Sequence, residues 1–161
     1  MPVPDKVYLS TPSDTYTSAI GVTGEIREHI HPTYGKQYYR MVKNTSGSDI
    51  AANLVVVFAS GSSVNVALSA GDAPSHTVAG VTQNIIPNGS FGWVCCGGDC
   101  KVTAAADTAA NASLVATGSA GKVDDPAISS VAKAAAVIGV GPNIIDISVE
   151  PTGIIRLSGL M

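Results

Sequence analysis

Charge is scarce in this chain: only 13% of its 161 residues are Asp, Glu, Lys or Arg, and only 5% are aromatic. So little charge leaves little polar material to clothe a monomer, which implies a protomer that hides part of its surface against a partner. The net charge of −3 excludes the basic field that draws proteins to nucleic acid. No apolar run approaches the roughly 18 residues needed to cross a bilayer, so no membrane partner is expected. The opening stretch MPVPDKVYLS has neither a basic n-region nor an apolar h-region. It reads as no signal peptide, and synthesis in a reducing cytoplasm is the expectation. Cysteines number only 3, with Cys95 and Cys96 adjacent, which is no secreted disulfide framework.

What hydrophobicity there is comes mainly from Ala and Val, and it is arranged in short runs broken by turns. From Gln37 onward, QYYRMVK (37–43) alternates and NTSGSD (44–49) is a turn. LVVVFA (54–59) is a continuous apolar run, the pattern of a strand buried on both faces. SVNVALS (63–69) alternates, with Val64, Val66 and Leu68 on one face, and HTVAGVTQNII (76–86) is β-rich. PNGS (87–90) supplies hairpin-type turn chemistry. FGWVCC (91–96), a GGD turn and CKVTA (100–104) follow. SLVATGSAGKVD (113–124) reads as strand, turn and strand, with AAVIGVG (135–141) and GIIRLSG (153–159) as closing strands. Turns recur every 8–12 residues or so, the spacing of an all-β barrel or sandwich. Of the Ala-rich stretches, VTAAADTAANA (102–112) has no amphipathic face. DDPAISSVAKAAA (124–136) is a candidate short helix capped at Asp125 with Pro126 in its first turn.

Residues 1–36 differ. They hold Pro2, Pro4, Pro12 and Pro32, many Ser and Thr, and no strand or helix period beyond KVYLS. The reading is an extended N-terminal arm, 1–36, joined to a β domain, 37–161. The fold class expected is all-β: a small antiparallel β-barrel or sandwich with that arm and at most one short helix.

Candidate chemistry is thin. Cys96 and Cys100 have one metal-like spacing, but zinc sites need such pairs twice, and Cys95 falls on the opposite face of the same strand. The cysteines read as small buried hydrophobes plus one exposed thiol at a β corner turned by Gly97 and Gly98. His29 and His31 share a side of an extended segment and read as solvent or interface residues, and His76 stands alone. Asp49, Asp72, Asp99, Asp107, Asp124 and Asp125 are scattered through expected loops. GVGPN (139–143) and GVTG (21–24) lack the lysine and context of a phosphate loop. No catalytic residue, metal site or cofactor is expected, and the chain reads as no enzyme.

The order VTQNIIPNGSFGWVCCGG, SLVATGSAGKVDD, AAAVIGVG, GIIRLSGL resembles the decoration (cement) proteins of tailed-bacteriophage capsids, over roughly residues 37 to 160. The chain departs from that pattern at Asn111-Ala112-Ser113 and at Cys95-Cys96. The resemblance implies a small β domain, often a homotrimer, on the outer capsid surface of a virion, with the major capsid protein as its partner. It would tie capsomers together against internal pressure. The arm, up to roughly 115 Å if fully extended, would lie across neighbouring subunits. Its expected capsid-contact anchors are Val7, Tyr8, Leu9, Tyr16, Ile20, Ile26 and Tyr34. A head-fibre base or tail structural protein of a phage is the alternative, followed by a β-barrel ligand-binding module.

Overall fold

The structure, a computed structural model, describes residues 12–68, 78–104, 113–116, 121–124, 137–143 and 152–157. Their regular structure is all strand: β1 (Thr15–Tyr16), β2 (Ile26–His31), β3 (Gly35–Asn44), β4 (Val55–Phe58), β5 (Asn65–Leu68) and β6 (Val78–Thr82). The long β7 (Phe91–Thr103) follows, then β8 (Ser113–Ala116), β9 (Val123–Asp124), β10 (Val137–Asn143) and β11 (Thr152–Leu157). The fold is therefore all-β. The stretch KVYLS, most of the Ala-rich 102–112 and the helix expected after Asp125 lie outside the described residues.

Five strands close a ring of hydrogen bonds. β3 pairs β5, β5 pairs β4, β4 pairs β6, β6 pairs β7, and β7 returns to β3. Four of these pairings are antiparallel, but β3 and β5 run parallel through Lys43–Asn65 and Asn44–Val66. The sheet is thus mixed, where an antiparallel one was expected, and it is not a clean barrel. The parallel pair arises because the chain leaves β3 through the Asn44–Asp49 turn, and the β4–β5 hairpin brings β5 back in β3's own direction.

Alternation along the ring strands separates two cores. Val42, Val56, Val66, Ala79 and Val94, one from each ring strand, pack together with Ile50 and Ile86. Small side chains suit the narrow interior of so few strands. Ile50 and Ile86 exchange two backbone hydrogen bonds of 3.0 and 2.9 Å beside this cluster. The neighbouring positions Tyr39, Met41, Val55, Val57, Val81, Trp93 and Cys95 form a second buried cluster with Cys100, Val102, Ala104 and Val123. Both faces of β4, β6 and the first half of β7 are therefore dry, which is why LVVVFA is apolar without a break. The one buried amide at the ring's rim, Asn44, is fully used. Its Nδ2 donates to the Ser48 and Ile86 carbonyls at 2.8 Å each, and its Oδ1 accepts from Ser46 N at 2.9 Å.

The Gly97-Gly98 corner is not a turn. β7 runs through it for 13 residues, so Cys96 and Cys100 lie on one strand rather than across a hairpin, and Asp99 is a strand residue. A bulge, where Tyr38 pairs Gly97 and Tyr39 pairs Cys95, bends the strand instead. Gly98, at φ 87, marks the exchange of partners: a Cβ there would collide with the Lys36 carbonyl. Before it β7 pairs β3; from Gly98–Leu157 to Thr103–Thr152 it pairs β11. β11 then pairs β10, β10 pairs β8, and β8 pairs β9 as the expected hairpin. In PNGS, Gly89 is left-handed (φ 77) and Ser90 N donates to Pro87 O at 3.0 Å. Asn88 is not left-handed, so the turn is of type II form rather than the primed hairpin form expected.

Within residues 1–36, β2 lies against β3 from Ile26–Arg40 to His31–Gly35, and β1 meets β7 at Thr15–Gly92 and Tyr16–Phe91. β2 has an inverted pattern that its sequence does not advertise. Ile26 and Ile30 face outward and are exposed, while Arg27 and His29 face the core. Arg27 sits 5.1 Å from the Trp93 ring centre, and the His29 ring meets Tyr39 edge-on at 5.9 Å. Cation–π and edge contacts replace aliphatic packing on that face.

Candidate functional site

The thiols are the most reactive side-chain type in the chain, and their placement disarms them. Cys95, Cys96 and Cys100 are all buried and none is disulfide-bonded. The exposed thiol expected from the sequence is absent, because β7 is covered on both faces. Cys95 joins the outer cluster, while Cys96 turns the other way, its Sγ 3.4 Å from the Tyr38 carbonyl. Burial pushes the Cys96 thiol up to about 11. Burial, then the adjacent Cys95, holds Cys100 well above the ordinary thiol range. Thiols so placed stay protonated near neutral pH and are poor nucleophiles. Among the described residues, no three His, Cys, Asp or Glu side chains gather as metal ligands.

A buried polar thread runs beside them. The Tyr39 hydroxyl donates to Gln37 Oε1 at 3.0 Å, and Gln37 Nε2 donates onward to the Asp99 carbonyl. Burial raises the Tyr39 pKa far above the phenol range. The Trp93 indole N–H is buried without a hydrogen-bond partner. The nearby Tyr16 hydroxyl donates its hydrogen to Asp14 Oδ2 at 3.3 Å, which leaves its oxygen able to accept from the indole.

The arm residues divide. Val7, Tyr8 and Leu9 lie outside the described residues. Tyr16 packs against the outer cluster from β1, and Tyr34 stacks on His31 with ring centres 4.4 Å apart. Ile20 and Ile26 are exposed, and the structure adds Val22, at 74% exposure, and Ile30, at 56%. The alternation Ile26-x-x-x-Ile30 was the available signal for an apolar outer face on β2. It was obscured by the histidines and charges between.

Two concavities flank the arm. An open groove of about 540 Å³ separates Val22–Glu25 from Phe58, Ser63 and Val64. Arg40 lies 5.3 Å from the Phe58 ring there, and Glu25 holds Arg27 through hydrogen bonds of 3.1 and 3.0 Å. A second cleft of about 300 Å³ lies where the arm meets the ring, with His31 and Tyr34 on one side and Asn53, Gln83 and Lys101 on the other. The His31 pKa is lowered, first by desolvation and then by the positive neighbours His29 and Lys101. Lys101 and Asn53 were not singled out in the sequence, since nothing local marks either one.

The described residues thus define an all-β protein with a closed strand ring, a strand-forming arm and a polar cleft at their seam. No family model matches the chain, and no curated protein matches it. Among solved structures it is similar to the head fiber gp8.5 N base of bacteriophage phi29. The identity is 15% and the TM-score 0.48, over 76% of this chain and 94% of that one. A likeness this loose assigns the chain neither a fold family nor a role.

Proposed function

We propose that this protein is a structural component of a tailed-phage virion that binds the outside of the capsid and bridges neighbouring capsomers, without enzymatic activity. The observation that carries the reading is the ordered set of strand motifs from FGWVCC to GIIRLSGL, which resembles decoration proteins. Each motif quoted for that resemblance supplies a strand: β7, the β8–β9 hairpin, β10 and β11. Support also comes from the arm, which presents exposed Ile20, Val22, Ile26 and Ile30 in a chain of low charge. Beyond β2, on the side away from β3, no further strand is paired among the described residues. Outward isoleucines on an edge strand suit burial against a shell.

Co-sedimentation with capsids lacking the protein tests this. The full chain should pellet with them, and Ile26→Ser with Ile30→Ser should weaken attachment by at least about tenfold. Failure of the full chain to bind shells would sink the reading. Copy number per particle then separates two members of this class: a decoration protein is abundant over the lattice, and a head-fibre base or tail protein is sparse.

A further inference from the structure

The cleft at the seam of arm and ring has walls that are fixed from behind. Gln83 Nε2 donates to the Lys101 carbonyl at 2.9 Å, and Lys101 N donates to Gln83 Oε1 at 3.2 Å. Asn84 Nδ2 holds the Ser13 carbonyl at 2.6 Å. His31 Nδ1 accepts from the backbone N–H groups of Thr33 and Tyr34 at 3.1 and 3.2 Å. A neutral His31 therefore carries its proton on Nε2 and is a donor there.

Asn53 is the one described non-glycine residue in the left-handed region, at φ 63. Its backbone is held by Thr82 O and Thr103 N at 2.7 Å each. Its side-chain amide has no partner among the described residues, and neither has the Lys101 ammonium. No carboxylate lines the cleft. Asn adopts this conformation readily in turns, and what marks Asn53 is the unused side-chain amide it brings to the cleft wall.

We propose that this cleft binds an acidic sugar unit of the uronic acid class. The sugar carboxylate meets the Lys101 ammonium, its hydroxyls meet the Asn53 amide and the Ser13 and Tyr34 hydroxyls, and a C–H face lies along the His31–Tyr34 ring pair. A bare carboxylate would answer Lys101 but leave the remaining donors to water. An apolar acid would strand them, and stranded polar groups reject a ligand strongly. The volume of about 300 Å³ is at the small end of ligand pockets, fitting one sugar ring rather than an oligomer. This inference stands whether or not the protein decorates a capsid.

The test is an NMR titration of the full-length labelled protein with glucuronate, glucose and N-acetylglutamate amide. Glucuronate should shift His31, Tyr34, Asn53 and Lys101 signals saturably, and glucose should bind at least about fivefold more weakly. Lys101→Met should bring glucuronate down to the level of glucose while leaving the melting temperature unchanged, since that ammonium supports no internal contact. Absence of saturable shifts, or an unchanged glucuronate affinity in Lys101→Met, would overturn the proposal. N-acetylglutamate amide binding as tightly as glucuronate would also overturn it, by making the cleft a site for acidic peptides.

Discussion

At the scale of single residues, glycine and cysteine carry the sharpest predictions. Gly98 and Gly89 are both left-handed, but only Gly98 has backbone packed where a Cβ would go. Gly89→Ala should destabilise by about 1 kcal/mol, the ordinary cost of that conformation. Gly98→Ala should cost about 3 kcal/mol or more, because the Lys36 carbonyl must also move. Urea melts of the two variants would check this; equal losses would mean that β3 yields at its start. The thiols give a second test. At about pH 8 a disulfide reagent should label none of the three cysteines in the native protein and all three in denaturant. The Cys96 thiol ionises near 9 in the unfolded chain and near about 11 when folded. The native state therefore holds its proton longer, and the associated stability is complete below about pH 9 and lost as the pH rises through about 11. Melts that do not change between those limits would contradict the burial of that side chain.

At the scale of elements, β1 and β2 cover the outer cluster without closing the ring, since β3 and β7 pair directly. Deleting residues 1–36 should leave a β circular dichroism signal. It should also lower stability by about 2–4 kcal/mol and shift the Trp93 fluorescence to the red, as Tyr16 and Arg27 no longer shield the indole. Complete unfolding would make the arm a strand of the core instead. The ring strands were legible because apolar residues, Val above all, alternate with polar ones, or run without break where both faces are dry. β2 was not, because its inward residues are Arg27 and His29, which pack on aromatic faces that no sequence period records. In sequence β7 looks like two strands because a Gly-Gly pair signals a turn locally; the bulge against Tyr38 and Tyr39 makes it a bend, and the change of partner at Gly98 carries the strand on. The cleft was illegible for a different reason: His31, Asn53 and Lys101 come from three distant segments.

At the scale of the whole molecule, the scarcity of charge favours self-association, and we propose the trimer that the resemblance to decoration proteins implies. Sedimentation equilibrium of the soluble protein should give the trimer mass, unchanged in Ile26→Ser with Ile30→Ser, since those side chains are assigned to the shell and not to a protomer interface. A monomer at all concentrations would remove self-association from the reading.

β7 also sets an order of events on the ribosome. Its first half finds β3 already synthesised and can close the ring as soon as residues 91–97 emerge. Its second half must wait for Thr152–Leu157, the last described segment, before the edge from Gly98 to Thr103 has a neighbour. For that interval the nascent chain carries a finished ring with an open strand edge, whose unpaired backbone groups other chains can add to. Chains truncated before residue 152 should therefore aggregate rather than simply unfold.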